Sequence, residues 1–379
     1  VAAVRFLLGR PCGWILLNLP SLRIGIPVSG VERIEGGARA WVHKDAGDDP
    51  DVTDGMAVVA EVRLEWGDRP LLSLEGGEGV GRVSRPGLQV PPGEPAINPG
   101  PRAAIEANLA AELPPRLGAR VRISIPGGQE VAKRTFNPRL GVVGGLSILG
   151  TTGVVEPRSE AALVETTRTE LSVLRAAGAE AVCLAPGNYG RGVAANLGIP
   201  DGSVVATGNF VGPAVDDAAR LGFGTILLIA QIGKLLKVSG GSMDTHSAKS
   251  DGRLCALGAF AAACGAGASE VREILSANTA DEAALAATDR PWGAEALRMA
   301  ANRAEMSLRG RFGRAVGTDA EIREDRGGSS SIWIGALAFA LPDRELARSS
   351  GASAALSKLL LQGAKDGDGG ERERKAEET

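Results

Sequence analysis

The chain has 379 residues, 44% hydrophobic and 23% charged, which is the balance of a folded globular protein rather than a disordered one. Its 42 Lys and Arg against 45 Asp and Glu leave a net charge of -3, and 3% of residues are aromatic. Both figures argue against a polyanion groove or a base-stacking surface, and so against a nucleic-acid partner.

The four cysteines (Cys12, Cys183, Cys255, Cys264) form no Cys-x-x-Cys pair, and the two histidines are His43 and His246. That set suits neither a zinc centre nor a disulfide framework and fits a reducing cytoplasm. The most apolar run, residues 223–230, is strand-sized and short of the ~20 residues a membrane-spanning helix needs. At ~100–200 residues per domain, the length predicts two domains, or one large one with an appendage.

The chain opens on Val1 rather than Met, and residues 1–8 form an uncapped apolar helical pattern, as expected of a chain that has lost its first residues. A signal peptide is disfavoured, because no small-residue cleavage site precedes the strand-like residues 14–19. Strands are then predicted at 15–19, 22–28, 38–43, 56–65, 71–74 and 121–125, separated by Gly, Pro and Asp clusters. One helix interrupts them at 102–113, with Ile105, Leu109 and Leu113 at helical spacing. Residues 1–135 are therefore read as a β-rich α+β domain.

From residue 136 the texture changes. A glycine-punctuated strand at 140–149 is followed by a helix at 159–177. Strands at 181–185, 203–207 and 223–230 then alternate with helices at 189–197 and 213–221. Strands apolar on both faces predict a largely parallel sheet covered by helices, with ligands at the carboxyl ends of its strands. Residues 136–363 are assigned to this α/β domain. Its part beyond Ser247 is read as helical, through 254–263, 270–277 and 294–308. Residues 364–379 carry many charges and no aliphatic larger than alanine, and predict a disordered tail.

Several segments carry candidate chemistry. Residues 44–55 (KDAGDDPDVTDG) hold five carboxylates, suited either to a divalent cation or to turns in which aspartates bind backbone amides. Residues 76–83 (GGEGVGRV) form a glycine-rich loop without the Lys-Ser/Thr of a phosphate-binding loop; a hairpin and an anion cradle both remain open. Asn98 and Arg102 stand in a proline-stiffened entry to the 102–113 helix. Thr151, Thr152 and Gly153, then Asn188, then Asn209, lie in three loops expected to end successive strands at one edge of the sheet, which predicts a shared pocket. Lys234 follows the next strand, suited to an acidic substrate or to the surface. His246, with Asp251 and Arg253 nearby, sits in a polar, glycine-marked stretch that suits proton handling or capping.

Taken in order, residues 44–55, 76–87 (GGEGVGRVSRPG), 95–102 (PAINPGPR), 135–157 (TFNPRLGVVGGLSILGTTGVVEP), 186–190 (PGNYG), 208–212 (GNFVG) and 233–253 resemble the cobalt-precorrin-5B C1-methyltransferase family of anaerobic cobalamin biosynthesis. The resemblance runs from about residue 1 to residue 345. It implies transfer of a methyl group from S-adenosylmethionine to C1 of a corrin-forming tetrapyrrole, giving cobalt-precorrin-6A, with cobalt arriving only as part of the substrate. Three departures stand out. The family's N-terminal Gly-Tyr-Thr-Thr-Gly run is absent, Gln231 stands where histidine is usual, and Cys255 stands where glutamate is usual.

On that resemblance, a cleft between the two halves is expected to bring the partners together. Arg82, Asn98, Arg102 and Lys234 are candidates for the carboxylate arms of the macrocycle. Thr151, Thr152, Gly153, Asn188 and Asn209 are candidates for the adenosyl cofactor, and His246 and Asp251 for proton management. Two alternatives are a tetrapyrrole carrier without catalysis, and a nucleotide-dependent enzyme using residues 76–81. The oligomeric state stays open, a homo-oligomer included.

Overall fold

The computed structural model describes residues 1–20, 22–47, 51–67, 72–150, 160–317 and 332–377, with side chains described as far as residue 364. Thr151, Thr152 and Gly153 lie outside these residues. The chain divides into two compact units, Val1–Ser159 and Glu160–Thr379.

The first unit begins with α1 (Ala2–Leu7), then a hairpin of β1 (Trp14–Asn18) and β2 (Arg23–Pro27). There follow β3 (Gly30–Ile34), β4 (Gly37–His43), β5 (Ala57–Trp66), β6 (Leu72–Gly76), β7 (Arg82–Val83), α2 (Pro99–Ala110), β8 (Leu117–Ser124), α3 (Gly128–Ala132) and β9 (Val142–Val143). Five of these strands form one sheet in the order β3-β4-β5-β8-β6, antiparallel except for the parallel pair β6–β8. In β8, Ala119, Val121 and Ile123 are buried while Arg120 and Arg122 face solvent, the period of two that a half-buried strand requires. On the solvent face Arg120 pairs with Glu65 and Arg122 with Glu75, both at 3.2 Å.

The glycine-rich loop acquires a structural explanation here. Gly79 has φ +73°, and a Cβ on it would lie 1.8 Å from the Ile125 carbonyl oxygen. Gly145 passes so close to Gly79 that a Cβ there would meet the Gly79 carbonyl oxygen at 2.3 Å. The amides are spent within the protein: Gly77 donates to Ile123 O (2.7 Å), Val80 to Gly77 O (3.2 Å) and Gly81 to Leu146 O (2.8 Å). These glycines let backbones cross, and those three amides have nothing left to offer a phosphate, which counts against the nucleotide alternative.

The described residues of the carboxylate-rich loop are likewise bonded to one another. Lys44 pairs with Asp51 and with Thr53. Asp54 accepts the Ala46 N–H and Asp45 the Gly47 N–H, each at 2.9 Å. Among the described residues, no group of three or more His, Cys, Asp or Glu is placed to hold a metal.

The run at 140–149 departs from the expected parallel strand. Only Val142–Val143 is extended, pairing antiparallel with β7, and Ile148 bridges to Ile97. This segment therefore packs within the first unit, so the expected boundary at 135/136 falls inside that unit.

The second unit contains α4 (Glu160–Ala176), β10 (Ala181–Ala185), α5 (Gly190–Asn196), β11 (Val204–Ala206), α6 (Val211–Arg220), β12 (Thr225–Gln231) and α7 (Ile232–Ser239). It continues with α8 (Arg253–Ala263), α9 (Ala268–Ser276), α10 (Ala280–Thr288), α11 (Gly293–Ala315), β13 (Trp333–Ala340), β14 (Arg344–Arg348) and α12 (Ala352–Glu377). Its sheet runs β11-β10-β12-β13-β14, with the first four strands parallel and β14 antiparallel to β13.

Alternate residues of each central strand enter different cores. Val182, Leu184, Ile226, Leu228, Ile334 and Ala336 face the layer built on α6, α7 and α11. Cys183, Leu227, Ile229, Leu337 and Phe339 face α5 and α12. Helices on both faces explain why these strands read as unbroken apolar runs. Truncating one such side chain, Leu227→Ala for instance, removes about 2–5 kcal/mol.

The α/β architecture is as expected, with two differences. β13 and β14 lie in a region read as helical, and β13 is an inner strand. The helix α12 extends to Glu377, across residues assigned to a disordered tail. Ala352, Ala355 and Leu359 dock its start on the sheet, and Glu, Arg, Lys and Ala near its end are strong helix formers. No helix among the described residues is long and apolar enough to cross a membrane.

Candidate functional site

The strand order reverses beside β10: the chain moves from β10 outward to β11, then returns past β10 to β12. Such a switch point opens a crevice at the carboxyl ends of the strands. The loops after β10 and β11 gather there with the first turn of α7, which follows β12 directly.

β12 ends in Gln231, whose Oε1 accepts the Gly233 N–H at 3.1 Å and so caps α7. Gln231 Nε2 donates to Asp281 near the start of α10, and the other Asp281 oxygen accepts the Leu341 N–H at 2.9 Å. The first turn of α7 is thereby held against two neighbouring elements.

Lys234 and Lys237, one turn apart on α7, enter a cavity of about 220 Å³ also lined by Asn209, Thr245, His246 and Arg253. Lys234 Nζ donates to Asn209 Oδ1 at 3.1 Å. Gly187, in the loop after β10, passes so near that a Cβ there would lie 3.1 Å from Lys234 Nζ. Lys237 is 4% exposed and donates to the Thr245 carbonyl at 3.0 Å and to Ser247 Oγ at 3.3 Å.

Thr245 locks the loop after β11 in place. Its N–H donates to Asn209 O at 2.8 Å and its hydroxyl to Asn209 Oδ1 at 3.2 Å. Burial, and next the charge of Lys237, pull the Lys234 ammonium below its ordinary pKa. Burial and then Arg253 act the same way on Lys237, against the opposite pull of Asp251 and Asp244. Cations crowded at a half-closed cavity gain most from a ligand that brings negative charge.

The sequence-derived candidates distribute unevenly. Asn209, Lys234 and His246 line this cavity together. His246 is exposed, and its Nδ1 accepts the Ala248 N–H at 3.2 Å, leaving Nε2 as the N–H nitrogen of the neutral ring. Asp251 is exposed and holds Arg253 through an ion pair of 2.8 Å rather than lining the cavity itself. Asn188 is exposed in the loop after β10.

In the first unit, Arg82 is exposed and donates to the Gly93 carbonyl. Asn98 caps the start of α2, its N–H bound to Ile148 O at 2.9 Å and its carbonyl accepting the Arg102 N–H at 3.0 Å. The adenosyl candidates Thr151, Thr152 and Gly153 lie outside the described residues. The run at 140–149 that precedes them is not a strand of the parallel sheet; the third segment at that edge is the first turn of α7.

Sequence reasoning passed over Lys237, Thr245 and Ser247. The spacing of Lys237 one helical turn from Lys234 was the available signal, but a lysine on a helix is usually a solvated one.

Residues 1–157 match the family described as CbiD, and residues 244–328 match its C-terminal domain. Among curated proteins, the chain is 43% identical over 273 residues to a cobalt-precorrin-5B C(1)-methyltransferase of Thermoanaerobacter sp. (strain X514), covering 72% of each chain. It is 45% identical over 282 residues to the protein of that name from Moorella thermoacetica, covering 74% of this chain and 76% of that one. A solved structure of a cobalamin biosynthesis protein (cbiD) from Archaeoglobus fulgidus aligns with a TM-score of 0.34 at 25% identity, over 66% of this chain and 79% of that one.

Proposed function

The chain belongs to the CbiD family, and from that premise we propose that it methylates C1 of cobalt-precorrin-5B to give cobalt-precorrin-6A in cobalamin biosynthesis. S-adenosylmethionine is the donor in this reading, cobalt enters within the macrocycle, and the reaction takes place in the cytoplasm.

The observation that carries the reading is the cationic cavity at the switch point, where Lys234, Lys237 and Arg253 converge. The macrocycle is fringed with acetate and propionate arms, and a carboxylate arm fits a cavity of this size and charge. Charge-assisted hydrogen bonds are worth about 1.5–3 kcal/mol each, enough to hold one edge of a flat ring in register.

The donor supplies an activated methyl on a sulfonium. The C1–CH3 bond forms as the S–CH3 bond breaks, its electron pair staying on sulfur as a neutral thioether. Because charge is lost at sulfur in this step, the protein's work is positioning, which can contribute about 7–11 kcal/mol. The chain's own part is to anchor the arms through Lys234 and its neighbours. The internally bonded Asn209–Thr245 pair keeps the cavity wall from moving, and His246 Nε2–H stands at the rim as a donor.

The test is incubation with cobalt-precorrin-5B and methyl-labelled S-adenosylmethionine. Label at C1 supports the reading; label elsewhere, or binding of the macrocycle without transfer, overturns it in favour of a carrier.

A further inference from the structure

A second cavity, of about 390 Å³, adjoins the first. The two share a wall made of residues 209–210 and 243–246. Asn209 lines the first cavity and Phe210 the second; Met243 and Asp244 line the second, Thr245 and His246 the first. The wall is built like a short antiparallel ladder: Phe210 bridges Asp244, Gly212 N–H donates to Met243 O at 3.0 Å, and Thr245 N–H donates to Asn209 O at 2.8 Å. Asn209 and Phe210 enter different cavities, and the facing run passes from the second cavity to the first between Asp244 and Thr245, which is how one wall serves two cavities.

Their chemistry differs. The first cavity presents ammonium and guanidinium groups. The second presents Phe210, Pro213, Met243 and Val164, with carboxylates at Asp244 and Glu160. Its guanidinium, Arg311, is held bidentately by Asp216 at 2.7 and 2.6 Å, so its charge is already matched. Lys249 is shared between Glu160 at 2.7 Å and Asp244 at 2.9 Å. Burial raises the Asp244 carboxyl, but the hydrogen bonds from Lys249 and from the His246 N–H outweigh it and hold the group below its usual pKa, anionic at neutral pH.

Resting on the methyl-transfer reading above, we infer that this second cavity binds the adenosyl methyl donor, against Phe210, Pro213 and Met243, one residue beyond Asn209. Its volume is in the range of pockets that take a single small ligand, about 300–1,000 Å³, whereas the first cavity is below it. An aromatic and thioether wall suits a purine ring. A sulfonium is repelled by the crowded cations of the first cavity; beside the second, the carboxylates of Asp244 and Glu160 outnumber the one ammonium of Lys249, which itself lies 5.9 Å from the centre of the Phe210 ring, the face a cation prefers. The shared wall then sets donor and acid-anchored acceptor side by side, as direct transfer requires.

The test uses the whole chain and S-adenosylhomocysteine as the probe, measured by titration calorimetry. Ala161, exposed in the first turn of α4, lines the second cavity, so Ala161→Trp fills it without touching a core. Both Ala161→Trp and Phe210→Ala are expected to weaken binding at least tenfold. Leu163→Trp, exposed on the same helix and outside the cavity lining, is expected to leave affinity within twofold. Affinity unchanged in both cavity variants, with normal binding by the parent chain, overturns this site and leaves the methyl-transfer reading standing. A parent chain that binds no S-adenosylhomocysteine overturns both.

Discussion

Lys234 Nζ and Asn209 Oδ1 meet at 3.1 Å, tying the helix after β12 to the turn after β11 at the edge where the sheet reverses its order. The bond does two things: it orients a partly desolvated ammonium, and it stiffens the wall between the two cavities.

Removing either partner therefore weakens anchoring of an acidic substrate. Lys234→Met loses a charge-assisted contact of about 1.5–3 kcal/mol, so kcat/KM for methyl transfer falls about 10- to 150-fold, mainly through KM. Asn209→Ala has a smaller effect, and the double variant falls by less than the product of the two, because the residues act through one bond. Steady-state rates with labelled donor measure all three. Strict multiplicativity contradicts the coupling.

The lowered pKa of Lys234 gives a pH dependence whose sign is determined. In the folded protein the ammonium loses its proton at a pH below the ordinary value of 10.5. KM for the acidic substrate therefore rises in the alkaline range before a normal lysine would titrate. Lys237→Met removes a repulsion and moves that rise to higher pH. Stability behaves oppositely: between the folded pKa and 10.5 the unfolded chain binds more protons, so stability increases with pH there. Denaturant titrations across this range should show the parent chain gaining on Lys234→Met as pH rises; a loss relative to that variant contradicts the desolvated ammonium.

Gly79 tests the structural account of the glycine-rich loop. Its φ is +73°, and the Ile125 carbonyl oxygen stands 1.8 Å from where a Cβ would have to go, which leaves alanine no place; Gly79→Ala therefore costs more than about 3 kcal/mol. Gly93 also has positive φ, +90°, but nothing within 4 Å of a Cβ, so Gly93→Ala costs only the left-handed backbone penalty of about 1–2 kcal/mol. Urea unfolding of the two variants separates a backbone crossing from an open anion cradle, in which Gly79→Ala would be mild.

The strands that build the switch point were readable because both their faces are buried: residues 181–185 and 226–230 are apolar throughout, and the loops after β10 and β11 carry Gly and Asn. β13 was not readable. Its Ala, Leu and Phe residues suit a helix as well as a strand, and only its place between β12 and β14 makes the choice. The run at 140–149 misled for a related reason. Its glycines signalled a strand ending in a ligand loop, whereas they serve the close passage of Gly145 over Gly79.

By itself the sequence determined the alternation of strands and helices, the positions of Asn209 and His246 in polar loops and of Lys234 just after a strand, and the family likeness, since each rests on local pattern or on ordered motifs. Only tertiary structure decided that Lys237 is buried beneath Thr245 and Ser247, that Asp251 serves Arg253, and that one ladder of residues divides two cavities of opposite chemistry. Those relations join segments far apart in the chain, and their energies come from burial and from hydrogen bonds that exist only once the sheet has brought its loops to one edge.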